Sequence, residues 1–183
     1  VRNVSSIKVF SRSEENRRSF AERAGKAVGM QLETVDEARK AVEGSDIVLV
    51  ATNSHKPVFD PIWLKKGAYV GSLGRITELD RSLFVTADTL VVGSSEQERT
   101  RYYNIYEPIP LDEMVTEGRL SADKTLELGD VVAGKVPGRR SPGDITVFHE
   151  SQGGFTGAAL AAAGYDEARK RGGDKTKLHP HTI

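Results

Sequence analysis

A run of five apolar residues, Ile47 to Ala51, constrains the fold of this chain more than any other segment. Gly44-Ser45-Asp46 precedes the run, Thr52-Asn53-Ser54 follows it, and no polar residue interrupts it. A short continuous apolar run between turn-forming residues is typical of a parallel strand that is buried on both faces. We therefore predict a strand inside a parallel sheet here, with polar residues at its carboxyl end.

Other apolar runs alternate with helical patterns along the chain, and this order predicts an α/β fold with a doubly wound, Rossmann-like parallel sheet. We predict further strands at residues 7–10, 30–32, 67–72, 89–92 and 145–148. We predict helices after a cap at Ser11 or Ser13, after a capping box formed by Thr34 and Glu37, and over residues 96–103, 111–120, 126–133 and 154–171. Residues 172–183 are predicted to form a polar tail.

Composition excludes several classes of function. The 183 residues include 26 Lys and Arg, 26 Asp and Glu and no cysteine, so the charge is balanced and gives no general attraction to nucleic acid or to a membrane surface. No apolar run approaches the ~20 residues that span a bilayer. Without cysteine there is no disulfide framework and no thiolate metal site. We therefore expect a cytoplasmic protein that binds no nucleic acid, no membrane and no metal.

The residues after the first predicted strand are candidates for cofactor binding, because ligands of open parallel sheets bind beyond the carboxyl ends of the strands. This strand ends in Ser11-Arg12-Ser13. In dinucleotide-binding folds an acidic residue at the end of the second strand holds the 2′-hydroxyl of NAD, whereas a hydroxyl with an arginine suits the 2′-phosphate of NADP. The segment therefore favours NADP(H) over NAD(H). A solvated surface position for Arg12 is an equally open interpretation.

A dinucleotide-binding fold also needs a G-x-G-x-x-G turn before the strand that ends in Ser-Arg, and this sequence contains no such motif. Two interpretations follow. Either the chain does not bind a dinucleotide, or the first strand and its glycine-rich turn lie upstream of Val1. The sequence opens on Val1 rather than on methionine, so we expect a piece of a longer chain.

Several segments, taken in their order and spacing, resemble the ornithine cyclodeaminase/mu-crystallin family from about residue 5 to residue 172. They read VFSRSEENRRSFAE, AVEGSDIVLVATNSHKPVFDPIWLKKGAYVGSLG, TELD, ADTLVVGSSEQ, LELGDVVAGKVPGR, DITVFHES and AAAGYDEARKRG. The resemblance implies a dinucleotide-binding domain over residues 1–150. It also implies that residues 151–183 contain a helix that returns to a second domain, which carries dimerisation and part of the substrate site.

The resemblance implies reactions that pass through an imine at the α-carbon of an amino acid, in a homodimer whose substrate is a small amino or imino acid. We expect an NADP(H)-dependent oxidoreductase of the ketimine reductase or amino-acid dehydrogenase type, with NAD(H) as a possible cofactor. Two alternatives stay open. One is an ornithine cyclodeaminase-type ammonia lyase with tightly bound NAD, and the other is a non-catalytic, mu-crystallin-like NADPH-binding protein.

The resemblance also assigns cofactor-binding residues by position. It places the contacts to the adenosine phosphate at Ser11, Arg12 and Ser13, and the contacts along the cofactor at Thr52 and Asn53. The turn beside the nicotinamide is assigned to Ser72, Leu73 and Gly74, and the segment that closes over the ring is assigned to Ser151.

Three features of the sequence depart from the family's pattern. The segment 149–151 is one residue longer than the usual pattern, and the segment 74–79 is too short to hold the catalytic aspartate of the cyclodeaminases. The family's substrate-binding Lys and Arg residues belong to an N-terminal domain that this sequence lacks. We therefore assign no catalytic residue. We expect Asp80 to have a structural role.

Overall fold

The computed structural model describes residues 3–94, 110–150 and 154–172, and the chain divides into two compact units, Val1–Ser151 and Gln152–Ile183. Within the first unit, strand β1 (Lys8–Val9) pairs in parallel with strand β2 (Glu33–Thr34), and helix α1 (Glu14–Val28) connects them. The Ser13 hydroxyl accepts a hydrogen bond from the Asn16 amide, which satisfies one free N–H at the start of α1. Of the two predicted caps, Ser11 and Ser13, the structure therefore shows Ser13.

The second predicted strand lies later in the chain than expected. Residue 30 lies just after α1, where the Met30 amide donates to the Gly25 carbonyl, and pairing with β1 begins only at Glu33. Thr34 lies in β2, so the predicted capping box of Thr34 and Glu37 is wrong. Helix α2 (Ala38–Val42) begins after Glu37 without a side-chain cap.

A five-stranded, fully parallel sheet forms the main part of the first unit, in the order β3-β4-β7-β5-β6. Its strands are β3 (Ile47–Val50), β4 (Tyr69–Ser72), β5 (Thr89–Val92), β6 (Thr125–Glu127) and β7 (Thr146–His149). The order in space differs from the order in sequence, which requires crossover connections and agrees with the predicted doubly wound class. Short helices lie between the strands: α3 (Arg81–Thr86), α4 (Pro110–Thr116) and α5 (Leu128–Val132), with 3-10 turns at Pro61–Trp63, Ile76–Glu78 and Ala122–Lys124.

The prediction that β3 is buried on both faces is wrong. Val48 and Val50 are buried, but Ile47 is 45% exposed and Leu49 is 66% exposed. Within the described residues, β3 pairs with β4 on one side and lies at the edge of its sheet. By contrast, all four residues of β5 are buried, because β5 lies between β7 and β6. The sheet therefore packs its core around the interior strands and not around the most apolar one.

The core of the first unit joins the sheet to the short helices. Val70, Leu90, Val92 and Val147 contribute from the strands, and Leu83 and Phe84 from α3 are almost fully buried against them. A predicted helix over residues 126–133 is wrong in its first part, because residues 125–127 pair with β5 as β6 and only residues 128–132 are helical. The predicted helix over residues 96–103 and most of the predicted tail lie outside the described residues.

The second unit contains helix α6 (Gly154–Lys170), close to the predicted helix over residues 154–171. Residues 157–172 are all exposed within the chain, including Leu160 and Tyr165. Within the described parts of the chain, no helix combines the length and the apolar character needed to cross a lipid bilayer.

Arg139 ties together the amino ends of β4 and β7. Its Nη2 lies within hydrogen-bond distance of the carbonyls of Gly67, Ala68 and Asp144, and its Nε donates to the Thr146 hydroxyl at 3.2 Å. These ends face away from the carboxyl edge of the sheet. Arg139 is therefore a structural clamp on the loop that precedes β7, and it contacts neither of the predicted cofactor regions.

We predict that Arg139→Ala lowers the stability of the fold. The side chain is partly exposed, so we expect a loss of about 1–2 kcal/mol and a fall in melting temperature of roughly 2–8 °C. The measurement is thermal unfolding followed by circular dichroism. Arg140→Ala is the matched control, because Arg140 holds Asp144 through its backbone amide, which the substitution retains. Equal melting temperatures for the two variants would contradict the stabilising role of the Arg139 side chain.

Candidate functional site

The carboxyl ends of the parallel strands bring residues from distant parts of the chain into one row. Ser72 at the end of β4 is in register with Val50 of β3 on one side and with His149 of β7 on the other. His149 is in turn in register with Val92 of β5. The loops that follow these strands therefore leave the sheet at the same edge, where open α/β sheets bind their ligands.

A buried carboxylate joins the loops after β3 and β4. Glu78 is fully buried, and its Oε2 accepts hydrogen bonds from the amide and the hydroxyl of Thr52 at 3.0 and 2.6 Å. Its Oε1 accepts from the Ser72 hydroxyl at 3.0 Å and from the Gly74 amide at 3.2 Å. The 3-10 turn Ile76–Glu78 places the carboxylate there, with Ile76 and Leu79 buried on either side of it.

The Ser72 hydroxyl also links β4 to β7. Ser72 Oγ lies 3.1 Å from Nδ1 of His149, and both residues are fully buried. The Glu150 amide also donates to the Ser72 carbonyl at 2.9 Å, which extends the pairing of β4 and β7 by one residue. Glu78, Ser72 and His149 therefore form one continuous chain of polar side chains beneath the edge of the sheet.

Gly74 allows the two loops to approach closely. A Cβ atom at this position would lie 2.2 Å from the Thr52 carbonyl oxygen and 2.7 Å from Oε2 of Glu78, well inside contact distance. Only glycine fits without moving the backbone. Next to Gly74, the Leu73 side chain is 46% exposed, and Asn53 after β3 is also exposed. The two loops therefore present an apolar side chain and an amide side chain to solvent.

The predicted adenosine-phosphate residues lie in the loop between β1 and α1. The Ser11 carbonyl accepts a hydrogen bond from Nη1 of Arg17, whose guanidinium lies over the Phe10 ring at 5.9 Å. The Ser13 side chain caps α1. The Arg12 side chain is exposed at the carboxyl end of β1, next to the amino end of α1.

The structure thus brings together the predicted residues in two groups. One is the segment 11–13, and the other contains Thr52, Asn53, Ser72, Leu73 and Gly74 around Glu78. The remaining predicted residue, Ser151, lies outside the described residues.

The sequence interpretation missed the two central side chains of the second group. In the sequence, Glu78 is close to the apolar residues Ile76 and Leu79, and these neighbours are the feature from which a buried carboxylate could have been predicted. From the sequence, His149 and Glu150 could be an acid/base pair or, more commonly, neighbours on the surface, but His149 is buried and its described partner is Ser72. Asp80 caps α3 as a structural residue, and the hydroxyl and amide of Ser82 that donate to it lower the pKa of its carboxyl group.

Across residues 3–94, 110–150 and 154–172, no three His, Asp or Glu side chains come together in a way that could hold a metal ion. Among the described residues, the carboxyl edge offers hydrogen-bond donors, the buried carboxyl group of Glu78 and the buried imidazole of His149.

Comparison with curated proteins identifies relatives that align with most of this chain. The chain is 28% identical over 177 residues to the Δ1-pyrroline-2-carboxylate reductase of Bacillus cereus strain ZK / E33L, an alignment that covers 94% of this chain and 52% of that protein. The chain thus spans about half the length of the curated relatives it matches.

Solved structures agree in fold. The Δ1-pyrroline-2-carboxylate reductase of Thermococcus litoralis, in complex with NADH and L-proline, superposes with a TM-score of 0.79 at 30% identity over 94% of this chain and 53% of its own. A protein of Bordetella pertussis described as a probable ornithine cyclodeaminase gives a TM-score of 0.71, also at 30% identity, over 91% of this chain and 52% of its own.

The family model provides the assignment. Residues 1–170 match the model of the ornithine cyclodeaminase/mu-crystallin family, which is nearly the whole chain and confirms the resemblance carried by its segments. The parallel sheet and the row of strand ends agree with this match. The chain therefore belongs to the ornithine cyclodeaminase/mu-crystallin family.

Proposed function

We propose that this chain is the dinucleotide-binding part of an NADP(H)-dependent oxidoreductase that acts on the C=N or CH–NH bond of a small imino or amino acid. The observation that carries this function is the carboxyl edge of the sheet, where Thr52, Ser72 and Gly74 converge on Glu78. The named activity of the Bacillus cereus relative, reduction of Δ1-pyrroline-2-carboxylate, supports the reaction class.

The first group of residues would hold the adenosine end of the cofactor. Arg12 is exposed, and a guanidinium can bind a 2′-phosphate through two donors. No carboxylate ends β1, and the nearby Glu14 is paired with Arg18 at 2.6 Å on the surface of α1. Ser11 and Ser13 would add neutral donors. This set supports NADP(H) in preference to NAD(H).

The second group would hold the nicotinamide end. Thr52 and Asn53 would lie along the cofactor, while Ser72, Leu73 and Gly74 would form the turn beside the ring and Ser151 would close over it. When bound, the nicotinamide supplies or accepts the hydride. The chain's own contribution is to fix the ring: the polar side chains below hold both loops, and the exposed Leu73 side chain offers an apolar surface that excludes water.

The same proposal includes the domain organisation. Residues 1–150 would form the dinucleotide-binding domain, completed by a strand and a glycine-rich turn, and residues 151–183 would connect to a domain for dimerisation and substrate binding. The open edge of β3, where Ile47 and Leu49 are exposed, supports an additional strand. Leu160 and Tyr165, exposed on α6, support a contact with another chain in a cytoplasmic homodimer.

We predict that the intact protein oxidises NADPH in the presence of Δ1-pyrroline-2-carboxylate or of other small cyclic imino acids. The measurement is the loss of NADPH absorbance at saturating imine, with NADH run in parallel. Release of ammonia from ornithine without net absorbance change would instead identify a cyclodeaminase, the activity named for the Bordetella pertussis structure. Tight NADPH binding without turnover of any imine would identify a binding protein.

We predict that Arg12→Ala weakens NADPH binding roughly 10- to 100-fold, because a lost charge-assisted contact to phosphate costs about 1.5–3 kcal/mol. NADH binding should change little, since NADH lacks the 2′-phosphate. The dissociation constants are measured by fluorescence titration. Arg18→Ala, which removes another exposed cation of the same region, serves as the control. Equal losses for the two cofactors would refute the role of Arg12.

A further inference from the structure

The buried carboxylate of Glu78 has a complete set of hydrogen-bond donors. An ionised carboxylate accepts about four hydrogen bonds, two on each oxygen, and donates none. Glu78 receives the amide and hydroxyl of Thr52 on Oε2, and the Ser72 hydroxyl and the Gly74 amide on Oε1. Two of these donors are backbone amides, which cannot reverse their direction. The site therefore requires an acceptor at both oxygens.

The donor set of Glu78 fixes the hydroxyl of Ser72. A serine hydroxyl has one hydrogen, and here it points to Oε1 of Glu78. The remaining contact of Ser72 Oγ, at 3.1 Å from Nδ1 of His149, can then be made only with Ser72 as the acceptor. When Glu78 is ionised and has no hydrogen of its own to donate, Nδ1 of His149 therefore carries the proton of this contact. The hydrogen bonds then run in one direction: His149 donates to Ser72, and Ser72 donates to Glu78.

We propose that Glu78 is a positioning residue that acts through Ser72: it holds the loops after β3 and β4 together and keeps the proton of His149 on Nδ1. Its effect on catalysis rests on the proposed function, because those loops are the ones assigned to the nicotinamide end. The protonation of His149 does not rest on it. Both follow from one carboxylate that contacts Thr52 and Gly74 directly and His149 through one hydroxyl.

Glutamine cannot replace Glu78 in this position. Its amide group presents two hydrogens where the carboxylate presents an acceptor oxygen, so in either orientation the amide opposes a backbone N–H, that of Thr52 or that of Gly74. When the amide faces Ser72, the hydroxyl becomes free to donate to Nδ1 of His149. Glu78→Gln should therefore disturb both the loops and the protonation of His149, although it changes the side-chain volume very little.

The experiment is nitrogen-15 NMR of the histidine side chains in the intact protein at pH 8.5, about two units above the ordinary histidine pKa of ~6.5. His149→Gln assigns the resonances by their loss. We expect Nδ1 of His149 to be protonated in the unaltered protein, and we expect both Ser72→Ala and Glu78→Gln to change this state. Glu113→Gln is the matched control, because Glu113 is half-buried and pairs with Arg81 outside the polar chain.

Three results would overturn this role of Glu78. They are an unprotonated Nδ1 in the unaltered protein, an unchanged His149 spectrum in Ser72→Ala, or an unchanged spectrum in a folded Glu78→Gln. If Glu78→Gln does not fold, the unaltered protein and Ser72→Ala decide the question. None of these measurements needs a cofactor or a substrate, so their outcome is independent of the proposed reaction.

A kinetic measurement tests the effect on the cofactor loops. In the imine reductase assay, Glu78→Gln should raise the KM for NADPH at least tenfold, whereas Glu113→Gln should stay within about twofold of the unaltered protein. An unchanged KM for NADPH in Glu78→Gln would overturn the positioning of the loops. If the unaltered protein reduces no imine, the proposed function fails, and NADPH binding by fluorescence then takes the place of KM for the same comparison.

Discussion

One buried carboxylate organises the carboxyl edge of this sheet. The carboxyl group of Glu78 is fully buried, so the four protein donors around it take the place of solvent. Two of the donors come from Thr52 after β3, and the other two come from Ser72 and Gly74 at the end of β4. The loop geometry and the burial of the charge are thus mutually dependent: neither persists without the other.

This dependence explains why small residues follow the strands. Gly74 lies so close to the Thr52 carbonyl that a Cβ atom would not fit, and the close approach in turn brings both amides within reach of Glu78. Ser72 is small enough to be buried between Glu78 and His149 while contacting both. A pair of loops held in this way is pre-organised, so a flat ligand that binds above them loses little free energy in ordering the protein.

The opposite edge of the sheet has a different kind of support. Arg139 contacts the carbonyls that precede β4 and β7, so a cation with several donors holds the amino ends there, while an anion with several acceptors holds the carboxyl ends. The middle of the sheet is apolar, with β5 fully buried. Both charged groups therefore lie at strand ends, where backbone groups that would otherwise lack partners are available.

The sequence by itself determined the elements that depend on local contacts: the alternation of strands and helices, the Ser13 cap of α1, and the polar residues that follow the strands. It also carried enough segments to indicate the family. It did not determine the exposed edge of β3 or the strand β6, because burial and pairing depend on which strands become neighbours. Nor did it determine the polar chain, since Glu78 and Thr52 are 26 residues apart and His149 and Ser72 are 77 apart. Thr52 meets Glu78 because β3 pairs with β4, and His149 meets Ser72 because β7 pairs with β4, and only the tertiary structure decides those pairings.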